Sequence, residues 1–423
     1  MRLAFLFYKN KTKAMDFIIF EDTRFENLHP LNVLRNSMDL KAGIFSLKDR
    51  IINYLPLGSA VNLFVRNEMY ELTKAFNKCS VNEIPVSDTV FLNGRTVFSQ
   101  RFINWIVSDL PADSKVEYDG TVVAAKISAG EIKKRSESIS FPVNNIFFEG
   151  LRNINNLNFN FENIFDIINY PWDIIRLFDF NLAFDLSYLL EKARGAEKNP
   201  EVSQENENNF VSPSAKVYPG VILDTGSGEI YIDDNALVEP LSYIKGPAYI
   251  GKNALVKSGS RIYGPCSIGW GSKVSGEISG SLFHSCVNKQ HDGFIGNTYA
   301  CPFVNFGADT VTSNLKNNYS KVRVNYKGES INTGMQFLGS LVGDHSKFGI
   351  NTMLNTGTIC GVFANVAGGG FPEKNIESFS WYILGSEPVK YKFNEAVETA
   401  RIVMKRRGIE MSEEYISLLK KIY

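Results

Sequence analysis

From Ile232 onward the chain places an aliphatic residue at every sixth position: Ile232, Val238, Ile244, Ile250, Val256, Ile262, Ile268 and Val274. Four residues after the first seven of these come Ala236, Ser242, Ala248, Ala254, Ser260, Cys266 and Ser272, all small. A second run repeats the rule at Val342, Phe348, Leu354, Cys360 and Val366, with Ser346, Thr352, Thr358, Ala364 and Gly370 at the small position. Neither the helical period of 3.6 nor the strand period of 2 produces such spacing. A period of six with alternating large and small inward residues predicts a parallel β-helix of hexapeptide repeats. Each hexad forms one flat face, and three faces close a triangular coil. The repeat weakens between Val274 and Val342, where Phe294, Ala300 and Phe306 keep the six-residue spacing and an insertion follows Asn314. Insertions in solenoids form loops on one face, commonly the binding face, so function is expected at this break.

Upstream, strand-like runs at Asp16–Phe20, Val61–Val65, Thr89–Leu92 and Thr121–Ala125 alternate with helical patterns, which predicts an α/β domain. "DIINYPWDIIRLFDFNLAFDLSYLLEKARG" has helical apolar spacing and a basic, Gly-terminated end. The polar stretch "AEKNPEVSQENENNF" then reads as a linker. Two short amphipathic helices are expected in "KYKFNEAVETARIVMKRRGIEMSEEYISLLKKIY", capping the open end of the solenoid. The division expected is an α/β domain over 15–195, a linker over 196–210, the β-helix over 211–385 and a helical cap over 386–423.

Composition narrows the partners. Forty-five basic and 45 acidic residues leave no net charge, and so no electrostatic case for nucleic acid or an anionic membrane. Five scattered cysteines without a CxxC disfavour a disulfide framework and a zinc ribbon. The apolar run Leu3–Phe7 is too short for a signal sequence or a membrane span. A cytoplasmic protein is expected, with residues 1–14 an extension or a start-site artefact ahead of the strand "MDFIIFED".

Three of the four histidines, His284, His291 and His345, lie in or just after the break. There the segments "HDGFIGN", "NFGADTVTSNLKN" and "GDHSKFGINTMLNTGT" resemble the bifunctional UDP-N-acetylglucosamine pyrophosphorylase/glucosamine-1-phosphate N-acetyltransferases. With "NLHPLNVLRNSMDLKAGIFSLKDRI", "FLNGR" and "YPWDII", the chain resembles their shortened Bacteroidetes-type variant. The resemblance implies a Rossmann-like nucleotidyltransferase domain, then a left-handed β-helix assembled as a homotrimer, with the acyl site between neighbouring solenoids. It implies acetyl-CoA as acyl donor, an amino-sugar 1-phosphate as acceptor and uridylyl transfer giving UDP-N-acetylglucosamine, a cell-envelope precursor. The acyl site needs no metal, whereas nucleotidyl transfer would need Mg²⁺.

By the same resemblance His291 is the base that deprotonates the sugar amine, a role suited to a neutral imidazole. Glu277 assists it, Ala308 offers a backbone N–H to the thioester oxyanion, and Arg261 holds the sugar phosphate. Asn305 contacts the sugar, and Asn314 lies near the acetyl group. Read from their residue types alone, His291 could cap a turn, Arg261 could be a solvated edge charge, and the asparagines could be turn residues. Two positions depart from the family: Ser279 replaces a phosphate-binding lysine and Phe294 a sugar-binding tyrosine. Their loss weakens the case for a phosphorylated glucosamine.

In the first domain, "DFIIFED" runs into "TRFENLHPLNVLRNSMDLKAG" with no glycine before Gly43, where pyrophosphorylases carry a Gly-rich phosphate loop. Arg24, Arg35, Lys41 and Arg95 read either as phosphate-binding cations or as surface charges. Two other readings of the whole are a non-catalytic trimeric nucleotide-sugar binding protein and a zinc enzyme of the γ-carbonic-anhydrase kind. The spacing of His284, His291 and His345 does not match the latter.

Overall fold

The computed structural model describes residues 15–154, 165–193, 195 and 209–423. The expected extension 1–14 and, apart from Asn209 and Phe210, the expected linker 196–210 lie outside the described residues. The chain forms two compact units that do not follow chain order. One comprises the residues up to Thr23 with Lys48–Ile167, and the other comprises Arg24–Leu47 with everything from Ile168.

The first unit is built on a seven-stranded mixed sheet. Strand Asp16–Phe20 pairs in parallel with Ala60–Phe64 on one side and Thr89–Asn93 on the other. Thr121–Ile127 then adds antiparallel to Thr89–Asn93, and Ser114–Tyr118 antiparallel to Thr121–Ile127. Four of the five residues of Asp16–Phe20 and all of Thr89–Asn93 are buried, as a sheet covered on both faces requires. Ser99 and Ser128 cap the helices Gln100–Ser108 and Ala129–Arg135 by accepting the N–H of Phe102 and Glu131.

The second unit is a parallel β-helix whose three faces are sheets of nine, ten and five strands, the last continued by the pair Val311–Thr312 and Met353–Leu354. The hexads stack as the period demands. Ile232, Ile250 and Ile268 lie in register on the first face, Val238, Val256 and Val274 on the second, and Ile244 and Ile262 on the third. All are fully buried in one continuous core. Each full coil therefore takes three hexads. The next coil is shorter, because Ile268 pairs with Phe283 and Val274 with Lys289. This shift corrects the expected register in the break. Ile295, not Phe294, points into the core, and Phe294 stands outward opposite Glu277.

The remaining segments wrap the solenoid. In Arg24–Leu47 the Lys41 N–H donates to the Tyr299 hydroxyl (3.2 Å), and the Asp39 carbonyl meets His284 Nε2 (3.4 Å). Helix Pro171–Lys192 begins on a proline and is capped by the Asp173 carboxylate, which accepts the N–H groups of Asn169 and Tyr170 (2.9 Å each). Its Asp185 carboxylate accepts the Ile44 N–H (2.8 Å). The two C-terminal helices form at Phe393–Lys405 and Glu413–Ile422. They lie along the solenoid's flank instead of only closing its end. Arg407 donates to Asn288, and Tyr415 meets His345 Nε2 (3.0 Å).

Candidate active site

The site is organised by the turn joining the second face to the third. Strand Asn288–Lys289 ends, Gln290, His291, Asp292 and Gly293 turn the corner, and Phe294–Gly296 begins the next face. Gly293 has φ +117°, and a Cβ there would sit 2.3 Å from the Thr310 carbonyl oxygen, so only glycine fits. His291 is exposed, and among the described residues its imidazole makes no hydrogen bond or ion pair.

His291, Asn305 and Ala308 line one open cleft of 240 Å³, together with Gln290, Phe306, Gly307 and Ile350. Among the described residues the Ala308 N–H donates to no group, while its carbonyl accepts the Asn351 N–H (2.9 Å). A free backbone donor thus borders the same space as an unengaged imidazole. A second hollow of 480 Å³ shares Gln290, His291 and Ala308 and continues past Asp292, Asp309 and Ser275 to Lys257 and Glu239. These residues belong to successive coils, so the groove runs along the solenoid axis. Coils repeat every ~4.8 Å, the spacing of paired strands.

Arg261, Glu277 and Phe294 stand in register on the outer surface of the third face. Arg261 Nε lies 3.4 Å from the Glu277 carboxylate, with the two side chains 49% and 38% exposed. The Glu277 N–H donates to the Gly293 carbonyl (3.2 Å), which ties this row to the His291 turn. Ser279 ends the same strand as Glu277, two residues along, in register with Gly296. Asn314 lies at the far corner of the third face, where its amide donates to the Asn297 side chain (2.8 Å). A single chain therefore gathers His291, Asn305 and Ala308, sets Arg261, Glu277 and Phe294 beside them, and leaves Asn314 across the face.

The other two histidines of the break have separate surroundings. His345 is stacked between Phe303 and Phe363, with ring centroids 4.7 and 4.6 Å away. Burial, then the Lys347 and Arg35 charges, push it well below the usual imidazole range. Burial lowers His284 likewise, helped by Arg35 and Lys41. Both are held neutral as parts of the packing, and neither converges with His291.

The candidate nucleotide-binding cations are also placed. Arg35 grips the Asp344 carboxylate with both terminal nitrogens and touches Cys301 Sγ (3.3 Å). Lys41 lies in the same wrapping segment, and Arg24 is exposed. Arg95, in the first unit, is fully buried with Nε on the Asp22 carboxylate (2.8 and 2.9 Å) and Nη2 on Thr121 (3.0 Å). Neither alternative read from the sequence describes Arg95, whose charge is neutralised inside the unit. Next to it Glu21 holds Arg66 (2.6 Å). Two ion pairs thus follow the first strand, where a phosphate loop was expected to be degenerate.

Sequence reasoning passed over Lys289. Its signal was available: counting six from Phe283 reaches Lys289, and six more reaches Ile295, so a lysine occupies an inward aliphatic position.

The architecture is that of an α/β domain followed in the chain by a hexapeptide-repeat parallel β-helix. Residues 17–194 match the sugar nucleotidyl transferase family. That span includes Arg24–Leu47 and the helix Pro171–Lys192, which pack with the β-helix. The bifunctional sugar-1-phosphate nucleotidylyltransferase/acetyltransferase of Sulfurisphaera tokodaii is 30% identical over 103 residues, 24% of this chain and 26% of that protein. The bifunctional protein GlmU of Methanococcus vannielii is 29% identical over 120 residues, 28% of this chain and 29% of that one. The chain spans under a third of the length of these curated relatives. Among solved structures, the UDP-N-acetylglucosamine acyltransferase of Francisella novicida is 14% identical, covering 52% of this chain and 78% of that one at a TM-score of 0.25, too low to bear on function.

Proposed function

We propose that the β-helix unit transfers an acetyl group from acetyl-CoA to the amine of an amino-sugar 1-phosphate of the glucosamine-1-phosphate kind, with His291 as general base. The observation that carries this reading is the cleft shared by an unengaged imidazole and an undonated N–H, His291 and Ala308. His291 takes a proton from the substrate ammonium, and the freed amine attacks the thioester carbonyl. The Ala308 N–H stabilises the oxyanion, and the C–S bond then breaks to release CoA thiolate, which takes up the proton. The axial groove suits an extended acyl-carrier arm, and Arg261 suits the sugar phosphate. Glu277, already paired with Arg261, orients that guanidinium. Asn305 meets the sugar from the cleft. Ser279 and Phe294 leave phosphate and sugar less tightly held, so the acceptor is the finer part of the proposal.

In this reading the protein works as a homotrimer, with Asn314 supplied to each site by a neighbouring copy. This reading takes the protein to act in the cytoplasm. No helix among the described residues is long and apolar enough to cross a membrane. For nucleotidyl transfer, the carboxylates after the first strand, Glu21 and Asp22, are each held by an arginine. This arrangement does not fit Mg²⁺, and it favours a second reading in which the first domain is a non-catalytic partner of the acyltransferase.

The test is thiol release from acetyl-CoA with glucosamine-1-phosphate. Loss of the base in His291→Ala is expected to lower turnover by about 10²-fold or more. Wild-type protein that releases no thiol with any amino-sugar phosphate would reject the transfer and leave a binding protein.

A further inference from the structure

The inward column of the second face runs Val238, Val256, Val274 and then Lys289, with Phe306, Phe348 and Val366 in the coils that follow. A lysine is the only charged residue in this otherwise apolar series. Its side chain is fully buried. Burying an ammonium among aliphatic groups is costly unless its hydrogen bonds are met. Here they are met by the turn just beyond it: Nζ donates to the His291 carbonyl and to the Asp292 carbonyl (2.6 Å).

This geometry matters because the His291 imidazole has no hydrogen bond of its own among the described residues. Its position is set through its backbone. That backbone is held from inside by Lys289 and from the neighbouring coils by Asp309 N–H on the Asp292 carbonyl (3.0 Å) and Glu277 N–H on the Gly293 carbonyl. The coil is also short: Val274 to Lys289 is 15 residues, where Val256 to Val274 is 18. Burial lowers the amine to about 8, with Asp292 and Asp309 opposing the shift.

We infer that Lys289 is a positioning residue, an internal strut that aims the His291 turn at the cleft. The inference rests on the general-base reading of His291. A strut that acts through His291 has a signature that general destabilisation lacks. Lys289→Met keeps the chain length and suits the apolar interior, so the fold should persist with a thermal midpoint no lower than wild type. Thiol release should fall on the order of 10²-fold, the scale of a misplaced catalytic group. In a His291→Ala background the same substitution should change nothing further. Equal losses in both backgrounds, or full activity in Lys289→Met, would overturn the strut.

Hydrogen exchange judges it without any substrate. Lys289→Met should speed exchange of the Asp309 and Glu277 amides, whose acceptors are turn carbonyls, by about tenfold or more, while amides of distant coils stay as they were. Unchanged exchange there overturns the strut. Absence of thiol release in wild type, by contrast, defeats only the catalytic reading.

Discussion

Asp344 is 2% exposed and carries the Arg35 guanidinium on both oxygens, while Arg35 also donates to the Leu31 carbonyl and to Cys301 Sγ. The pair joins the segment Arg24–Leu47 to the outside of the solenoid, with Cys301 beside it. Burial raises that thiol well above its ordinary value, the Asp344 charge adding to the shift, so Cys301 stays neutral. Asp344→Asn leaves a buried cation with one good acceptor fewer. Unfolding of this unit in urea should be easier by about 3 kcal/mol, the scale for breaking a buried pair. His291, remote in its chemistry from this contact, should keep its thiol-release activity. Arg35 shows how sequence reading stops short at this scale. A cation near a phosphate-loop relic and a cation that ties a segment to a solenoid have the same side chain, and only the position of Asp344, 309 residues on, distinguishes them.

The insertion after Asn314 makes the same point for an element. Its hairpin, Arg323–Tyr326 with Glu329–Asn332, was expected to form a binding-face loop, but it docks within its own unit. Tyr326 stands edge-on to Tyr170 and Trp172, with centroids 6.2 and 5.6 Å away, and its hydroxyl donates to the His29 carbonyl (2.8 Å). Burial pushes this phenol well up, so it remains a donor. Tyr326→Ala removes the rings' partner and a buried hydrogen bond together. It should cost about 3 kcal/mol, as large-to-small changes at buried aromatics do. The clearest readout is limited proteolysis, in which cleavage within 315–340 should become fast in the variant and stay slow in wild type.

For the molecule as a whole, the interior lysines set a dependence on pH. Burial lowers Lys289 and Lys347 to about 8 from 10.5. Between those values these two amines bind more protons in the unfolded chain than in the folded one, so their contribution to stability should rise as pH increases from about 8 to 10.5, while buried thiols and phenols raised by burial act in the opposite direction. Below 8 both states hold the protons, and these groups contribute no slope. The urea midpoint of wild type relative to Lys289→Met should climb across this window, because the opposing thiols and phenols are common to both chains. A wild-type advantage that does not grow with pH would show that Lys289 is not buried as described.

What the sequence determined by itself is the solenoid, the first-unit strands, the helix from Pro171 and the C-terminal helices. Their signals are local: an unbroken period of six, alternating strands, a proline start. The same locality let resemblance point to His291, Asn305 and Ala308, which the fold brings to one cleft because His291 and Ala308 turn equivalent corners of adjacent coils and Asn305 lies on the strand leading into the second corner. What only the tertiary structure decided depends on a missing residue or a distant partner. The shortened coil placed Lys289 inside, and a five-residue step from Ile295 to Ala300 left Phe294 outward while Ala300 and Phe306 stayed in the core. Arg95 and Arg35 became ion pairs, His284 and His345 became packing, and Arg24–Leu47 joined the β-helix. In each of these cases burial against residues far along the chain, not the residue's own chemistry, set its role.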